Sequence, residues 1–254
     1  MLNLFFQGKS LSKSKLFKGF FLASLLCVMA PAIAQNILRV GMPMPGQPPF
    51  LWQTEQGQVT GIYADTLREV VQDLALKLEF IPLSQARLAR LFVAGEIDIE
   101  IGVPSNIQES RLLAETSIFT RSFGIANEVI IYNADLSFPA FILKDLKDKT
   151  VATVRGAVAP EYVIKENFAS ALQIAKRVDR GWSQVGLMRE APALHYKASN
   201  NLNYQISLPY ESNLISFRLH KSRSELLRKM DLNIEKLELS GGLEDIICKY
   251  LCGN

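Results

Sequence analysis

Hydrophobic and polar positions alternate between a short and a long period along most of the chain. Ile37-Leu38-Arg39-Val40-Gly41-Met42 is a β-rich run, after which Pro43, Pro45, Pro48 and Pro49 hold the backbone in an extended loop. Between Tyr63 and Leu78 the apolar positions Leu67, Val70, Val71, Leu74 and Leu78 recur at spacings of three and four, which predicts an amphipathic helix. Leu78–Ile81 predicts a strand ended by Pro82. Leu88, Leu91 and Phe92 predict a helix stopped at Gly95, and 97–103 the next strand. A second series begins after Val129–Tyr132. It reads as a strand at Val151–Val154, then Gly156 and a helix over about 160–168. Strands at Leu172-Gln173-Ile174 and 205–208 follow, with a helix at 194–198 between them. Leu214–Arg218 predicts a crossing strand, and 224–237 and 243–251 two closing helices. Repeated units of this length predict an α/β fold built on a mostly parallel sheet covered by helices.

The first 34 residues follow another pattern. Lys9, Lys13, Lys15 and Lys18 precede an uncharged run from Gly19 to Ala30, and Pro31-Ala32-Ile33-Ala34 ends in small residues where a signal peptidase reads. A cleavable signal peptide over residues 1–34 is the expectation, with export to the periplasm. The alternative is a retained anchor, but the run is shorter than the roughly 20 residues a membrane helix needs. Export takes Cys27 away and leaves Cys248 and Cys252, four apart. An oxidising compartment permits a bridge between them, and two free thiols on a last helical turn are an equal alternative.

Removal of the leader also changes the charge. The whole chain has 28 basic and 25 acidic residues, a formal net charge of +3. Beyond residue 34 the basic count falls to 24, so composition makes no case for nucleic acid or an anionic membrane as partner. No cofactor is expected: no phosphate-cradling glycine loop is present, and His195 and His220 stand far apart. Gly181-Trp182-Ser183-Gln184-Val185-Gly186 misses the nucleophile-elbow spacing by one residue. An enzyme is therefore not expected.

A set of short pieces in order gives a resemblance. These are Pro48-Pro49-Phe50, then Gly61 before the first helix, and Ala94-Gly95-Glu96-Ile97-Asp98 opening a strand. An arginine about a dozen residues on is followed by Ile118-Phe119. Asp145–Lys149 then leads into strand and glycine, and Ile215-Ser216-Phe217-Arg218 stands before Ser224-Glu225-Leu226-Leu227. From Gln35 to Asn254 the chain resembles the extracellular solute-binding proteins of family 3, the amino-acid-type periplasmic binding proteins of ABC transporters. The resemblance implies a two-lobed type II fold, with lobe one at 35–124 plus 218–254 and lobe two at 125–217. It also implies a small ligand between the lobes, a monomer, and an ABC permease or a membrane sensor as partner.

The resemblance places Arg111 where the family arginine pairs with a ligand carboxylate. A guanidinium suits that task because it offers two parallel hydrogen bonds and stays charged. The alternative is a surface arginine paired with Glu109 or Glu115. Ser105 and Asn106 in the preceding loop carry donors, and that loop is one residue longer than the family pattern. Phe50 and Trp52 lie in the proline-bounded loop, where an aromatic face meets an apolar or amine-bearing group; packing of Phe50 under the first helix is the other reading. Gln85-Ala86-Arg87 stands where relatives often carry an aromatic, and Arg87 there is either an anion contact or a solvated helix position. Glu100 interrupts an apolar strand, so it must be paired or protonated. A cationic ligand group and an ion pair with Arg87 or Arg111 are both open. In lobe two, Gly156 and Ala157 stand where relatives have Gly-Thr-Thr or Gly-Thr-Ser, and the acid that meets a ligand amine falls on Arg189 or Glu190. A dehydratase-like activity using Glu100 or Glu190 with Arg111 is the minor alternative.

Overall fold

The structure, a computed structural model, describes residues 36–106, 110–157 and 159–252. The candidate signal segment lies outside them. Asn36–Asn254 forms one compact unit. In chain order its elements are β1 (Asn36–Pro43), β2 (Trp52–Gln53), β3 (Val59–Thr60), α1 (Ile62–Val71), β4 (Leu76–Leu83), α2 (Gln85–Val93), β5 (Ile99–Pro104), α3 (Arg111–Thr116), β6 (Ser117–Phe119) and β7 (Gly124–Asn133). There follow β8 (Thr150–Val154), β9 (Ile164–Phe168), α4 (Ala171–Asp179), β10 (Val185–Arg189), α5 (Glu190–Ser199), β11 (Tyr204–Ile206), β12 (Glu211–His220), α6 (Ser224–Leu239) and α7 (Gly242–Leu251).

Ten strands form one mixed sheet in the order β4-β1-β5-β12-β7-β10-β8-β9, with β6 beside β12 and β11 beside β7. The pairs β1–β4 and β1–β5 at one end are parallel, as are β8–β9 and β8–β10 at the other. Between them β12 runs antiparallel to both β5 and β7. The buried side chains divide in the same way. Two apolar clusters take their buried members from residues up to Ala126 and from Ile215 onward, and two others from Val129 through Tyr204.

Four sequence expectations are corrected. The first helix ends at Val71, because Ala75 takes a left-handed conformation (φ 51°) and turns the chain into β4. Leu78 therefore lies on a strand with Leu76 and Phe80 at period two. Pro82 does not end that strand; β4 is an edge, where a missing N–H costs no ladder bond. No helix spans 160–168. Residues 164–168 are instead β9, an exposed edge strand without clear alternation. Leu172-Gln173-Ile174 is helical, not a strand. The Ser170 hydroxyl accepts from the Gln173 N–H at the N-cap, and Ala171, Ile174, Ala175 and Val178 form the buried stripe.

Two ion networks are buried beside β5. Glu100 is 4% exposed and pairs with Arg218, also 4% exposed, whose guanidinium lies 4.8 Å from the Phe92 ring centre. The expected partners Arg87 and Arg111 are thus replaced by Arg218. Register explains the choice: antiparallel pairing sets Arg218 directly opposite Glu100. Next to it Asp98 bonds Arg39 and Arg223 at 2.8 and 2.9 Å.

Candidate functional site

Strand register defines where a ligand can enter. β5 ends at Pro104, opposite Ile215 of β12. β10 runs the other way and ends at Arg189, opposite Glu128 of β7, which itself faces Glu211 of β12. The two C-terminal ends therefore point at each other, four residues of β12 apart, which is about 13 Å at strand rise. Parallel pairing brings the end of β1 to the β5 side and the end of β8 to the β10 side. Among the described residues, only β7 and β12 carry the sheet across this gap. Gaps outside strand C-termini are the usual ligand position in open α/β sheets.

On the β1 side the loop after Pro43 folds against the start of α1. The Pro49 and Phe50 carbonyls accept from the Ile62 and Tyr63 N–H groups at 3.0 and 2.9 Å, satisfying donors that a helix start leaves free. Gly61 makes this approach possible (φ 117°); a Cβ there would stand 2.4 Å from the Phe50 oxygen. The Phe50 and Tyr63 rings consequently stack at 4.8 Å and 7°. Gly102 of β5 (φ 72°) leaves the space beneath, since a Cβ would lie 2.2 Å from the Tyr63 ring. Phe123 meets the other edge of Tyr63 at 5.7 Å.

From the β10 side, Arg189 reaches this shelf. Its Nη1 donates to the Tyr63 hydroxyl at 3.5 Å, its Nε to the Glu128 carboxylate at 3.4 Å, and its guanidinium carbon lies 5.8 Å from the Phe50 ring centre. Burial pushes the Tyr63 hydroxyl up to about 12, against the pull of Arg189. Burial also raises Glu128; Arg189 opposes the rise and Glu211 adds to it. Glu190 opens α5 and accepts from the Asn127 side chain at 2.7 Å, and Asn127 accepts from the Ser212 hydroxyl at 2.8 Å. An aromatic shelf, a phenol, one cation and the Glu128 carboxylate thus meet from the β1–α1 loop, α1, β10 and β7, a set suited to recognising a small polar molecule.

The candidates divide around this centre. Phe50 lies at it, while Glu190, next to Arg189 in the chain, is held by Asn127. Trp52 does not lie there; it packs edge-on against Tyr250 of α7 at 5.7 Å. Ser105 extends β5, its N–H and hydroxyl both donating to the Leu214 carbonyl, and Asn106 is exposed. The Arg111 side chain is 92% exposed and holds Glu115 at 2.7 Å, one of the two carboxylates named as its alternative partners. Gln85 and Arg87 are exposed at the start of α2. Gly156 and Ala157 form a tight turn, with the Ala157 N–H donating to the Val154 carbonyl, and not the helix start expected after β8. Glu100 is enclosed with Arg218, so it can meet neither a cationic ligand group nor the acid role of the dehydratase alternative. Residues 107–109 of the Arg111 loop, including Glu109, lie outside the described residues.

Tyr63, Asn127 and Glu128 are not among the candidates read from the sequence. Tyr63 belongs to a buried helical stripe, and only its polar tip at a helix start next to Gly61 hints otherwise. Glu128, next to an apolar run beginning at Val129, carried the same kind of signal as Glu100. Among the described residues no group of three or more His, Cys, Asp or Glu is placed to hold a metal ion, and no helix is long and apolar enough to cross a membrane. Cys248 of α7 and Cys252, the residue after its end, form a disulfide.

The chain is similar to a mutant of the arginine-binding protein ArgBP from T. maritima, at 22% identity and a TM-score of 0.74, covering 86% of this chain and 96% of that one. A histidine kinase sensor domain with similarity to periplasmic binding proteins matches at 19% identity and a TM-score of 0.74, over 85% and 97%. The GluR0 ligand-binding core in complex with L-glutamate matches at 20% and 0.73, over 86% and 99%. No curated protein sequence matches significantly. At these identities the likeness shows the fold, a type II periplasmic binding fold. Residues 38–253 match the profile of the bacterial extracellular solute-binding proteins, family 3, and the chain belongs to that family.

Proposed function

We propose that this protein is a secreted periplasmic solute-binding protein that captures a small polar or carboxylate-bearing molecule, an amino acid or close relative. The ligand lies between lobe one (35–124 plus 218–254) and lobe two (125–217). The observation that carries this reading is the opposition of the β5 and β10 ends, with Phe50 and Tyr63 on one side and Glu128 and Arg189 on the other. A ligand touching both sides favours the closed arrangement, so binding and closure are linked. The similarity to an arginine-binding protein and to a glutamate-bound core supports an amino-acid-like ligand. The leader at residues 1–34 supports export. Membership of the family supports delivery to an ABC importer; presentation to a membrane receptor is the second reading, favoured by the likeness to a kinase sensor domain.

Arg111 is proposed as the ligand carboxylate anchor. Its present partner, Glu115, is a solvent-exposed (i, i+4) pair, worth only about 0.3–0.5 kcal/mol and easily given up for a bidentate carboxylate. The test is a thermal-shift screen of the mature protein against amino acids, organic acids and polyamines. Arg111→Ala should abolish the shift given by the cognate ligand and leave the unliganded melting temperature nearly unchanged. A retained shift would remove Arg111 from the site. Turnover of the ligand in the same mixture would overturn the binding-protein reading.

A further inference from the structure

Arg189 is held differently from the structural arginines of this protein. Arg39 grips Asp98 with two short bonds, Nε at 2.9 Å and Nη2 at 2.8 Å, and adds a third to the Gly95 carbonyl at 2.7 Å. Arg189 touches three groups, each at the long end of its range: Glu128 at 3.4 Å, the Tyr63 hydroxyl at 3.5 Å and the Phe50 ring at 5.8 Å. Its side chain is nevertheless only 18% exposed. Its partners belong to both sides of the gap, so one side chain ties the two together.

The charges around it are unequal. Glu128 faces Glu211 across the β7–β12 pair, and Glu190 follows Arg189 directly. Arg189 is the cation in contact with Glu128, whose half-buried carboxylate is costly to leave charged without a partner. An aromatic face with a carboxylate beside it is the arrangement that binds a guanidinium or ammonium group. Here the chain supplies that group itself, through loose contacts on a flexible side chain.

We propose that Arg189 is a tethered stand-in for a cationic ligand group and thereby determines specificity. Its guanidinium fills the corner made by Phe50, Tyr63 and Glu128, and an incoming guanidinium or ammonium group takes that corner by displacing it. A ligand without such a group leaves Arg189 in place and gains nothing there. This inference rests on the crevice reading given above, but its test does not need the natural ligand. Replacing Arg189 by alanine opens a hole of guanidinium shape beside Glu128, which a small soluble cation can refill.

The experiment compares melting temperatures of the wild type, Arg189→Ala, Arg189→Gln and the double variant Arg189→Ala/Glu128→Gln in millimolar methylguanidinium chloride, against equal sodium chloride. Methylguanidinium should raise the melting temperature of Arg189→Ala and Arg189→Gln by about 3 °C, the size expected for a ligand present at several times its dissociation constant. The wild type and the double variant should not respond. Equal shifts in wild type and single variants, or none in either single variant, would overturn the proposal. So would failure of both single variants to fold, which makes Arg189 a structural counter-ion. Rescue without any ligand shift in the screen would sink the binding function alone; a ligand shift without rescue would sink only the role of Arg189.

Discussion

Asp98 is 1% exposed and takes four hydrogen bonds, from the Arg39 backbone, two Arg39 side-chain nitrogens and Arg223 Nε. Burial alone would raise its carboxyl. The arginine bonds outweigh burial and hold it down at about 2, against an ordinary 3.8. The folded state thus binds its proton less readily than the unfolded chain. The resulting stability is complete above pH about 4 and is lost as pH falls towards 2. At 1.36 kcal/mol per pH unit this amounts to about 2 kcal/mol at most, since Arg39 is partly in water. Asp98→Asn should lose about that much at pH 7 in urea unfolding and flatten the fall in stability between pH 4 and 2. A variant with the wild-type acid limb would show that other carboxylates carry it. Glu100 makes the complementary point: its misfit in an apolar strand is visible in the sequence, yet its partner lies 118 residues away and is chosen by register.

The helix α7 is tied to the start of α1 by Tyr250 and Lys249. The Tyr250 hydroxyl lies 2.6 Å from Asp65 Oδ2, 3.0 Å from Thr60 Oγ1 and 3.3 Å from the Gly61 N–H, while Lys249 Nζ holds the same Asp65 oxygen at 2.7 Å. These bonds and the Trp52 contact anchor α7 at the start of α1, next to the Phe50–Tyr63 shelf. Asp65 is held below the ordinary carboxylate range: burial opposes ionisation, and Lys249, Tyr250 and Arg68 overcome it. Tyr250→Phe should cost about 1–2 kcal/mol, a fall in melting temperature of about 2–8 °C. Calorimetry would read it directly, and an unchanged transition would mean that water replaces the hydroxyl without loss. Elements whose local signals agree were readable in this way: α6 and α7 appear where the periodicity put them. β9 and α4 were exchanged because an exposed edge strand has no buried face to mark it, and Leu172 and Ile174 have strand-like side chains that the stripe at 171, 174, 175 and 178 overrides.

At the scale of the whole molecule, β7 and β12 are shared by both ends of the sheet, and each changes partners along its length. Such strands can bend between the two groups of partners while the clusters on either side stay packed. Ligand binding should therefore lower the radius of gyration measured by solution scattering, with little change in far-ultraviolet circular dichroism. A bound state of unchanged radius would mean that the ligand enters a gap that is already closed.

By itself the sequence determined the alternation of strands and helices, the family resemblance, the crossing strand at 214–218 and the loop that carries Phe50. Each of these is written in a local period, a proline or glycine, or an order of short pieces. Tertiary structure alone decided which charges meet. Arg218 finds Glu100, Arg189 finds Glu128 and Tyr63, and Trp52 turns to Tyr250 and not to the shelf. The physical reason is that strand register and the opposed direction of β5 and β10 bring together side chains more than 50 positions apart, and no local pattern encodes that distance.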